Sequence, residues 1–336
     1  MKKSGFVFII LLLAFPSLVF AQKTFELKYV DWSPPTAGIS KINQKMLDMI
    51  TEKSGGRIKI TAYFGESLLK MAEVFKGVQQ GLADISYWTV GAPGSPERLA
   101  MLMRLPVLGI PSTEAGTEFV RRLFETSPDI AQEYKGIEVL GLRMMPFSEF
   151  HSVKKLVKKP ADMKGMKVIT TGIWADYMKL NGAAPVALGV GDWYLSLERG
   201  LVEAQITHFP AAYIFKTLDI FKYHTMIHAS GVPSCIFVNR NTWASLPPDL
   251  QKVLKEAAEW QAKEIVRFDH EEEERAIEYA KKRGNTFYSP TPEEMKEWYQ
   301  SFKLLHEQFV NGLEKEGLPA KKVYDRLVEL LEKYRK

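Results

Sequence analysis

The chain of 336 residues contains a single cysteine, Cys235, and therefore cannot form an internal disulfide bond. Because no disulfide can contribute to its stability, the chain must be stabilised by its hydrophobic core. Hydrophobic residues make up 46% of the sequence, which is enough material for such a core. Cys235 lies among apolar residues typical of a strand, and this favours a buried, inert thiol over a nucleophile.

The sequence also lacks the short motifs of common enzymes and cofactor-binding proteins. It contains no G-x-S-x-G, P-loop, H-E-x-x-H, C-x-x-C or G-x-G-x-x-G segment. His224 and His228 have a spacing that could bind a metal on a helix, but the residues around them are typical of a strand. No cysteine or carboxylate lies nearby. We therefore predict no catalysis, no cofactor and no metal site.

The charge balance is mild, with a formal net charge of +5. Lysine and arginine form no stripe interleaved with aromatic residues, so nucleic acid is not a predicted partner. The charge-rich run 270–283 places acids and bases three to five residues apart. This spacing indicates a solvated helix face and not a binding site.

Residues 1–21 are typical of a secretory signal peptide. Lys2 and Lys3 precede the apolar stretch 6–15, and small residues end the segment at Ala21, after which we predict cleavage. An N-terminal membrane anchor is the alternative interpretation of the same pattern. No later apolar run approaches the roughly 20 residues that a membrane-spanning helix needs. We therefore expect an exported, soluble mature chain.

The periodicity of the mature chain predicts an α/β fold. Strands and helices alternate as β-α-β-α-β over residues 25–90, and a second alternation follows over 137–240. One long helix, or two nearly continuous ones, is predicted over 247–283, and the length of the chain favours two domains. We place lobe I at 22–146 plus 234–272, and lobe II at 147–233 plus 273–336. Two such lobes with a cleft between them suit a hinged binding protein, although some two-domain enzymes share this organisation.

Several side chains fall at predicted strand ends, where ligands bind in open α/β sheets. Trp32, Trp88 and Thr89 follow the first and third strands, and aromatic faces at such positions can stack on planar ligands. Each tryptophan could equally belong to the core. His208 ends a later strand beside Thr207, and a hydrogen-bonded loop histidine is the alternative interpretation there.

Motifs along nearly the whole mature chain resemble the extracytoplasmic solute-binding subunit of a TRAP (tripartite ATP-independent periplasmic) transporter. The segment KKPADMKGMKV (158–168) is similar to the family signature P-x-D-L-K-G-L-K, and GDWYLSLERGLVEAQ (191–205) resembles E-x-Y-x-A-L-q-x-G-x-V-D-G-q. Four further segments resemble family segments in the same order: 50–68, 78–86, 102–108 and 241–258.

The resemblance implies two α/β lobes of the periplasmic-binding-protein type, with mixed, mostly parallel sheets, joined by crossing strands and one long helix. It implies closure around one small organic solute in the periplasm and delivery to integral membrane subunits driven by an ion gradient. It implies no catalysis. A periplasmic sensor that presents its solute to a membrane receptor is an alternative within the same fold, and an exported two-domain hydrolase is an alternative from another class.

The resemblance also locates the binding site, and there the chain departs from the family pattern. In most members the strand after K-G-L-K carries an arginine that binds the carboxylate of the ligand, and the matching residue here is Ile169. A second family arginine matches Ser148, and a polar family contact matches Thr207. The other matching positions are Trp32, Glu66, Trp88, Thr89, Gly172, Val190 and Ser234, with His208 added as a nearby imidazole.

The missing arginine leaves two possibilities, because a buried carboxylate needs a partner. The solute is not a simple carboxylate, or Lys70, Arg143, Lys167 or His208 supplies the charge. We expect a neutral or amine-bearing solute with an aromatic or apolar body.

Overall fold

The computed structural model describes residues 23–107, 109–229 and 231–334. The predicted signal peptide and its cleavage site lie outside these residues. Within them, no helix is both long and apolar enough to cross a membrane.

The described residues contain two sheets. Their strands are β1 (Phe25–Val30), β2 (Ile58–Tyr63), β3 (Ile85–Thr89), β4 (Ile137–Met144), β5 (Ser148–Ser152), β6 (Lys167–Ile169), β7 (Ala184–Val186), β8 (Ala204–Thr207), β9 (Tyr223–Ala229), β10 (Pro233–Asn239) and β11 (Thr286–Tyr288).

The helices pack on the faces of these sheets. They are α1 (Gly38–Lys53), α2 (Met71–Gln79), α3 (Thr113–Thr126), α4 (Pro128–Glu133), α5 (Ile173–Leu180), α6 (Trp193–Glu198), α7 (Phe209–Ile214), α8 (Arg240–Ser245), α9 (Pro248–Lys282), α10 (Pro292–Lys315) and α11 (Ala320–Leu331).

Each lobe is built around one mixed sheet. The sheet of lobe I has the order β2-β1-β3-β10-β4, in which β1 runs parallel to β2 and β3 while β10 is antiparallel to both neighbours. The sheet of lobe II has the order β11-β9-β5-β8-β6-β7, in which β5 is antiparallel to β8 and β9. The predicted architecture of two α/β lobes is confirmed.

The chain crosses between the lobes in two short connections, here called the first and second hinge segments. The first is residues 144–148, and the second is the connection from β9 to β10, of which residues 229 and 231–233 are described. The two segments lie side by side, and the amide of Met145 donates a hydrogen bond of 3.0 Å to the carbonyl of Val232. A Cβ on Gly231 would lie 2.1 Å from the carbonyl oxygen of Met145. Glycine is therefore required where the second segment passes the first.

Helix α9 makes a third connection between the lobes. Its N-terminal half packs Leu250 and Leu254 into the apolar cluster between α1 and the sheet of lobe I. Its C-terminal half packs Ala276 and Ala280 into an apolar cluster of lobe II. The helix ends before Gly284, whose φ of +76° suits the glycine predicted to follow it.

Several elements have no counterpart in the sequence analysis, and helix α3 and strand β5 are two of them. Helix α3 begins after Ser112, whose hydroxyl accepts a hydrogen bond from the amide of Ala115, but its glycine and threonines weaken the helical pattern. Strand β5 has the polar sequence SEFHS, yet all five of its residues are buried. Periodicity cannot reveal such a strand, because the alternation of apolar and polar residues is absent.

Candidate functional site

The candidate site is the cleft where strand ends of the two sheets face each other. On lobe I, Ser234 at the start of β10 lies opposite Thr89 on one side and Arg143 on the other. On lobe II, Thr207 ends β8 and His208 follows it. Both edges lie beside the first connection between the lobes, because Arg143 precedes Met144 at the end of β4 and Thr207 pairs with Glu149 at the start of β5.

Arg143 is a buried cation at the floor of this cleft, and its side chain is only 1% exposed. Its Nη1 atom lies 2.9 Å from Oδ2 of Asp269 on α9, and its Nη2 atom donates to the hydroxyl of Tyr87 at 3.3 Å. Burial raises the pKa of Asp269, while the guanidinium of Arg143 opposes this shift. Asp269 therefore balances the charge of Arg143 within the protein.

His208 is a neutral imidazole at the edge of the cleft. Its Nδ1 atom accepts a hydrogen bond of 3.2 Å from the amide of Ala211 at the start of α7, which assigns the proton to Nε2. Burial, with a smaller contribution from the Arg143 guanidinium, lowers the pKa of His208 to about 4. At neutral pH this residue can donate a hydrogen bond but supplies no positive charge.

The other two cations named from the sequence lie away from the strand ends of the cleft. Lys70 is 69% exposed and lies 3.7 Å from Glu66. Lys167 is exposed at the start of β6, the end of that strand opposite to Ile169. Glu66 itself accepts a hydrogen bond of 2.8 Å from the amide of Met71, so its carboxylate stabilises the start of α2.

Two of the predicted contact residues lie inside the protein. Ile169 is 2% exposed and packs in an apolar cluster with Leu197 and Phe209. Trp88 is 1% exposed, stacks on Phe237 with ring centroids 5.3 Å apart, and donates from Nε1 to Glu97. The placement of Trp88 at the cleft is therefore corrected, because β3 turns this side chain into the core of lobe I.

The remaining predicted residues include both accessible and buried positions. Thr89, Thr207 and Trp32 are half-buried, so each can present part of its surface to the cleft. Ser148 and Ser234 are buried at strand starts, with 8% and 0% of their surface exposed. Two further positions are exposed and border the lobe II side: Gly172, which precedes α5 with a φ of +59°, and Val190.

A buried carboxylate that was not predicted from the sequence holds the segment that contains Trp32. Asp31 is 1% exposed, and burial raises its pKa. It accepts three hydrogen bonds of 2.8 Å each, from the hydroxyl of Tyr29, the amide of Ser33 and the side-chain amide of Asn43. Asp31 directly follows β1, and polar residues at such strand ends often belong to a ligand-binding site. Its position in the sequence could therefore have indicated a role near the site.

A second missed feature is a hydrogen-bonded chain beneath Thr207. The carbonyl of Thr207 can only accept, so Nε2 of His151 donates to it at 3.1 Å. Nδ1 of His151 then accepts from Nδ1 of His224 at 2.7 Å, and Nε2 of His224 accepts from Asn285 at 3.0 Å. Burial lowers the pKa of both histidines, so the chain is neutral and holds the end of β8.

His224 and His228, the two histidines considered for metal binding, have different partners in the structure. His224 bonds to His151, whereas His228 pairs with Glu149. Among the described residues, no group of three or more histidine, cysteine or acidic side chains could hold a metal ion.

Comparison with known proteins finds one family and many related structures. The family described as bacterial extracellular solute-binding protein, family 7, matches residues 32–312. The C4-dicarboxylate-binding protein of Bacillus subtilis is 24% identical over 276 residues, which are 79% of this chain and 76% of that protein.

Two solved structures have closely similar folds. A TRAP periplasmic solute-binding protein from Desulfovibrio salexigens has a TM-score of 0.79 at 24% identity and covers 94% of this chain and 97% of its own. A marine metagenome TRAP solute-binding protein specific for aromatic acid ligands, solved with 3-hydroxybenzoate, has a TM-score of 0.78 at 23% identity. That match covers 94% of this chain and 100% of the other. At these identities the structures show the fold.

Proposed function

Because the chain belongs to family 7 of the bacterial extracellular solute-binding proteins, we propose that it captures one small organic solute in the cleft and delivers it to the integral membrane subunits of a TRAP transporter. The family is the one that the sequence motifs predicted, and it is extracellular by description. Two lobes joined by narrow hinge segments are suited to the capture and delivery of a solute, because rotation about the hinge segments would open and close the cleft.

The ion pair between Arg143 and Asp269 is the main observation that supports the ligand proposal. A guanidinium that binds a solute carboxylate must offer a positive charge that the protein has not already balanced. The charge of Arg143 is balanced by Asp269 at 2.9 Å and Nη2 contacts Tyr87, although Nε has no partner among the described residues. Ile169 and neutral His208 supply no charge. We therefore expect the solute to be neutral or amine-bearing and not a simple carboxylate.

The side chains around the cleft favour a solute that combines a flat apolar body with hydroxyl or amide groups. The half-buried ring of Trp32 offers an apolar surface. Hydroxyls of Thr89 and Thr207 can donate or accept hydrogen bonds, and Nε2 of His208 can donate one. The related protein that is specific for aromatic acid ligands supports an aromatic body for the solute, although its ligand 3-hydroxybenzoate also carries a carboxylate.

The experiment is mass spectrometry of small molecules released by denaturing protein purified from a periplasmic extract. A thermal-shift panel then compares benzoate, succinate and glucuronate with benzamide, benzyl alcohol and benzylamine. We expect the released compound to be neutral, amine-bearing or aromatic, and only the uncharged or amine members to raise the melting temperature. Micromolar binding of benzoate, succinate or glucuronate would overturn the ligand proposal, and the lack of any bound or stabilising solute would overturn solute capture.

A further inference from the structure

A dense group of lysines lies in the connection from β5 to β6 of lobe II. Residues 154–167 contain six lysines and one acid, so this segment carries a formal charge of +5. The formal net charge of the whole chain is also +5, which means that the basic and acidic residues outside the segment cancel. All six side chains are exposed: Lys154, Lys155, Lys158, Lys159, Lys164 and Lys167.

These lysines lie at the edge of the lobe II sheet that is opposite to the solute cleft. The cleft edge holds the start of β5 and the ends of β6 and β8, because β8 is antiparallel to β5 and parallel to β6. The lysine-rich segment leaves the end of β5 and returns at the start of β6, so it lies at the other edge. Lys222 is exposed at the same edge, since its amide donates a hydrogen bond of 3.0 Å to the carbonyl of Ser152. We call the six lysines and Lys222 the lysine face.

The segment that carries the lysines is anchored to the protein, although it has little regular structure. The side chains of Val157 and Met163 are fully buried in the core. The carboxylate of Asp162 accepts a hydrogen bond of 3.0 Å from the amide of Lys158. The carbonyl of Lys158 in turn accepts from Nε1 of Trp298 at 3.1 Å. These contacts hold the backbone, so the lysines extend outwards from a fixed surface.

Acids of the protein balance only a small part of this charge. Glu297 lies 4.0 Å from Lys159, and both side chains are about half exposed, so this pair is weak. The other acid at this edge is the half-buried Glu203, whose amide donates to the carbonyl of Lys167 at 3.0 Å. Among the described residues, no carboxylate oxygen lies within 4.0 Å of the Nζ atoms of four lysines of the face: Lys154, Lys164, Lys167 and Lys222.

We propose that the lysine face docks the protein on a membrane surface that contains anionic phospholipids, with the headgroup phosphates as the partner. Clusters of lysine and arginine are attracted to such surfaces, and each residue near the surface increases the binding constant roughly fivefold. Contact through this edge leaves the cleft free at the opposite edge of the sheet. The proposal goes beyond solute capture, because it assigns to lobe II a contact with the lipid itself.

The composition of the lysine face favours a lipid surface over an acidic protein. The face contains no arginine, the residue whose planar guanidinium is suited to paired hydrogen bonds with a protein carboxylate. A lysine ammonium is a compact point charge that attracts phosphate without such a fixed geometry. Protein interfaces also have an apolar centre, but none of the large exposed apolar side chains of the described residues lies in 154–167. The face therefore matches a diffuse layer of negative charge.

The test measures flotation of the protein, purified from a periplasmic extract, with lipid vesicles. Vesicles with equal amounts of phosphatidylcholine and phosphatidylglycerol are compared with vesicles of phosphatidylcholine alone. Binding is recorded at about 0.1 M and about 1 M NaCl, because the screening length shortens from about 10 Å to about 3 Å. We expect binding only to the mixed vesicles, and only at the lower salt concentration. Soluble poly-glutamate is the probe for an acidic protein surface.

The deciding variant replaces four lysines of the face with glutamine: Lys154→Gln, Lys164→Gln, Lys167→Gln and Lys222→Gln. The matched control changes four exposed lysines of lobe I: Lys41→Gln, Lys59→Gln, Lys76→Gln and Lys135→Gln. Both variants lose four positive charges, so they differ only in where the charges were. We expect the binding constant for the mixed vesicles to fall at least about a hundredfold in the first variant and less than about threefold in the control.

Three results would overturn the proposal: a parent protein that does not bind the mixed vesicles, equal binding to both kinds of vesicle, or equal losses in the two variants. Binding to poly-glutamate in place of the vesicles would assign the lysine face to an acidic protein and would also overturn it. The salt dependence of the parent protein requires no substitution, so it decides the matter even where a variant fails to fold. No solute is involved, so the result is independent of the ligand proposal.

Discussion

Nη1 of Arg143 lies 2.9 Å from Oδ2 of Asp269, although the two residues are 126 positions apart in the sequence. Arg143 belongs to β4, close to the first hinge segment, and Asp269 lies on the helix that joins both lobes. The pair therefore fixes α9 to lobe I at the point where the lobes meet. We propose that it also determines whether the cleft offers a positive charge to a solute.

Asp269→Asn should destabilise the protein substantially, because it leaves a buried guanidinium without its counter-charge. We expect a loss of about 3 to 5 kcal/mol in the free energy of unfolding, measured by urea denaturation. The double variant Arg143→Met/Asp269→Leu should lose less than Asp269→Asn. The freed guanidinium should also bind monocarboxylates, so benzoate should raise the melting temperature of Asp269→Asn and not that of the parent.

The control for this variant is Glu278→Ala, which breaks the exposed pair between Glu278 and Lys282 at 2.7 Å. Exposed pairs contribute about 0 to 1 kcal/mol, so its effect should be small. If Asp269→Asn cost no more than Glu278→Ala, the ion pair would not be the stabilising contact that its burial indicates.

Glu97→Ala should destabilise lobe I, because this 4% exposed carboxylate accepts hydrogen bonds from four groups. The donors are Nε1 of Trp88 at 3.1 Å, the amide of Gly91 at 2.6 Å, the hydroxyl of Ser95 at 2.5 Å and the hydroxyl of Tyr134. We expect a loss of about 3 kcal/mol in urea denaturation, since several buried donors lose their acceptor.

Glu125→Ala provides the comparison for Glu97→Ala, because Glu125 is 61% exposed and its ion pair with Arg122 is 3.6 Å long. Its effect should stay within about 0.5 kcal/mol. Equal losses in the two variants would contradict the role assigned to Glu97. The fluorescence of Trp88 should change in Glu97→Ala alone, which reports the lost indole hydrogen bond directly.

The buried histidine pair should make the protein less stable as pH falls. Burial lowers the pKa of His224 to about 4, whereas an exposed histidine has a value of 6.5. Below 6.5 the unfolded chain therefore binds a proton that the folded chain does not, and stability decreases until pH reaches about 4. This single group contributes on the order of 3 kcal/mol to the decrease.

The measurement is the free energy of unfolding at several pH values between about 4 and about 7. His224→Leu should show a shallower decrease than the parent protein, whatever its stability at neutral pH. The comparison uses the slope of the free energy of unfolding against pH, so a loss of packing that is the same at every pH does not affect it. An unchanged slope would show that His224 is protonated in the folded state.

Gly231→Ala should disturb the hinge, because the new Cβ would lie 2.1 Å from the carbonyl oxygen of Met145. The two hinge segments would have to move apart, and we expect a loss of at least about 2 kcal/mol in thermal or urea denaturation. Gly312→Ala is the matched control. Gly312 lies inside α10, and a Cβ there meets no atom within 4 Å.

Gly312→Ala should raise the free energy of unfolding by up to about 1 kcal/mol, because alanine favours helix formation. Opposite signs for the two glycine substitutions would show that the close approach at Gly231, and not the loss of glycine as such, causes the effect. A neutral Gly231→Ala would mean that the hinge segments can separate freely.

The elements with regular patterns could be predicted from the sequence. The long helix was expected over 247–283 and spans Pro248–Lys282, because its ends carry a proline and a glycine that limit a helix on both sides. Strand β5 could not be predicted, because its buried residues are mainly polar and their hydrogen-bond partners come from distant segments. His151, for example, bonds to residues 56 and 73 positions away.

The candidate site could be predicted only in outline. The family signature identified Ile169 as the residue that matches the arginine of other members. The side chain of Ile169 is buried, as expected for an uncharged residue. Trp88 was placed at the cleft because it lies near a strand end, but whether a side chain points to the core or the cleft depends on strand register. The pairing of Arg143 with Asp269 could not be foreseen, since no local pattern connects residues 126 positions apart.

Strand β10 has a consequence for the order in which the chain can fold. It lies between β3 and β4 in the middle of the lobe I sheet, yet it consists of residues Pro233–Asn239. The first four strands of that sheet are synthesised well before it, and β4 has no neighbour in the sheet until it arrives. Lobe I therefore cannot be completed on the ribosome until residue 239 has emerged, by which time the strands of lobe II other than β11 have been made. For most of its synthesis a chain with this connectivity cannot complete the sheet of lobe I, which would suit the export that the predicted signal peptide implies.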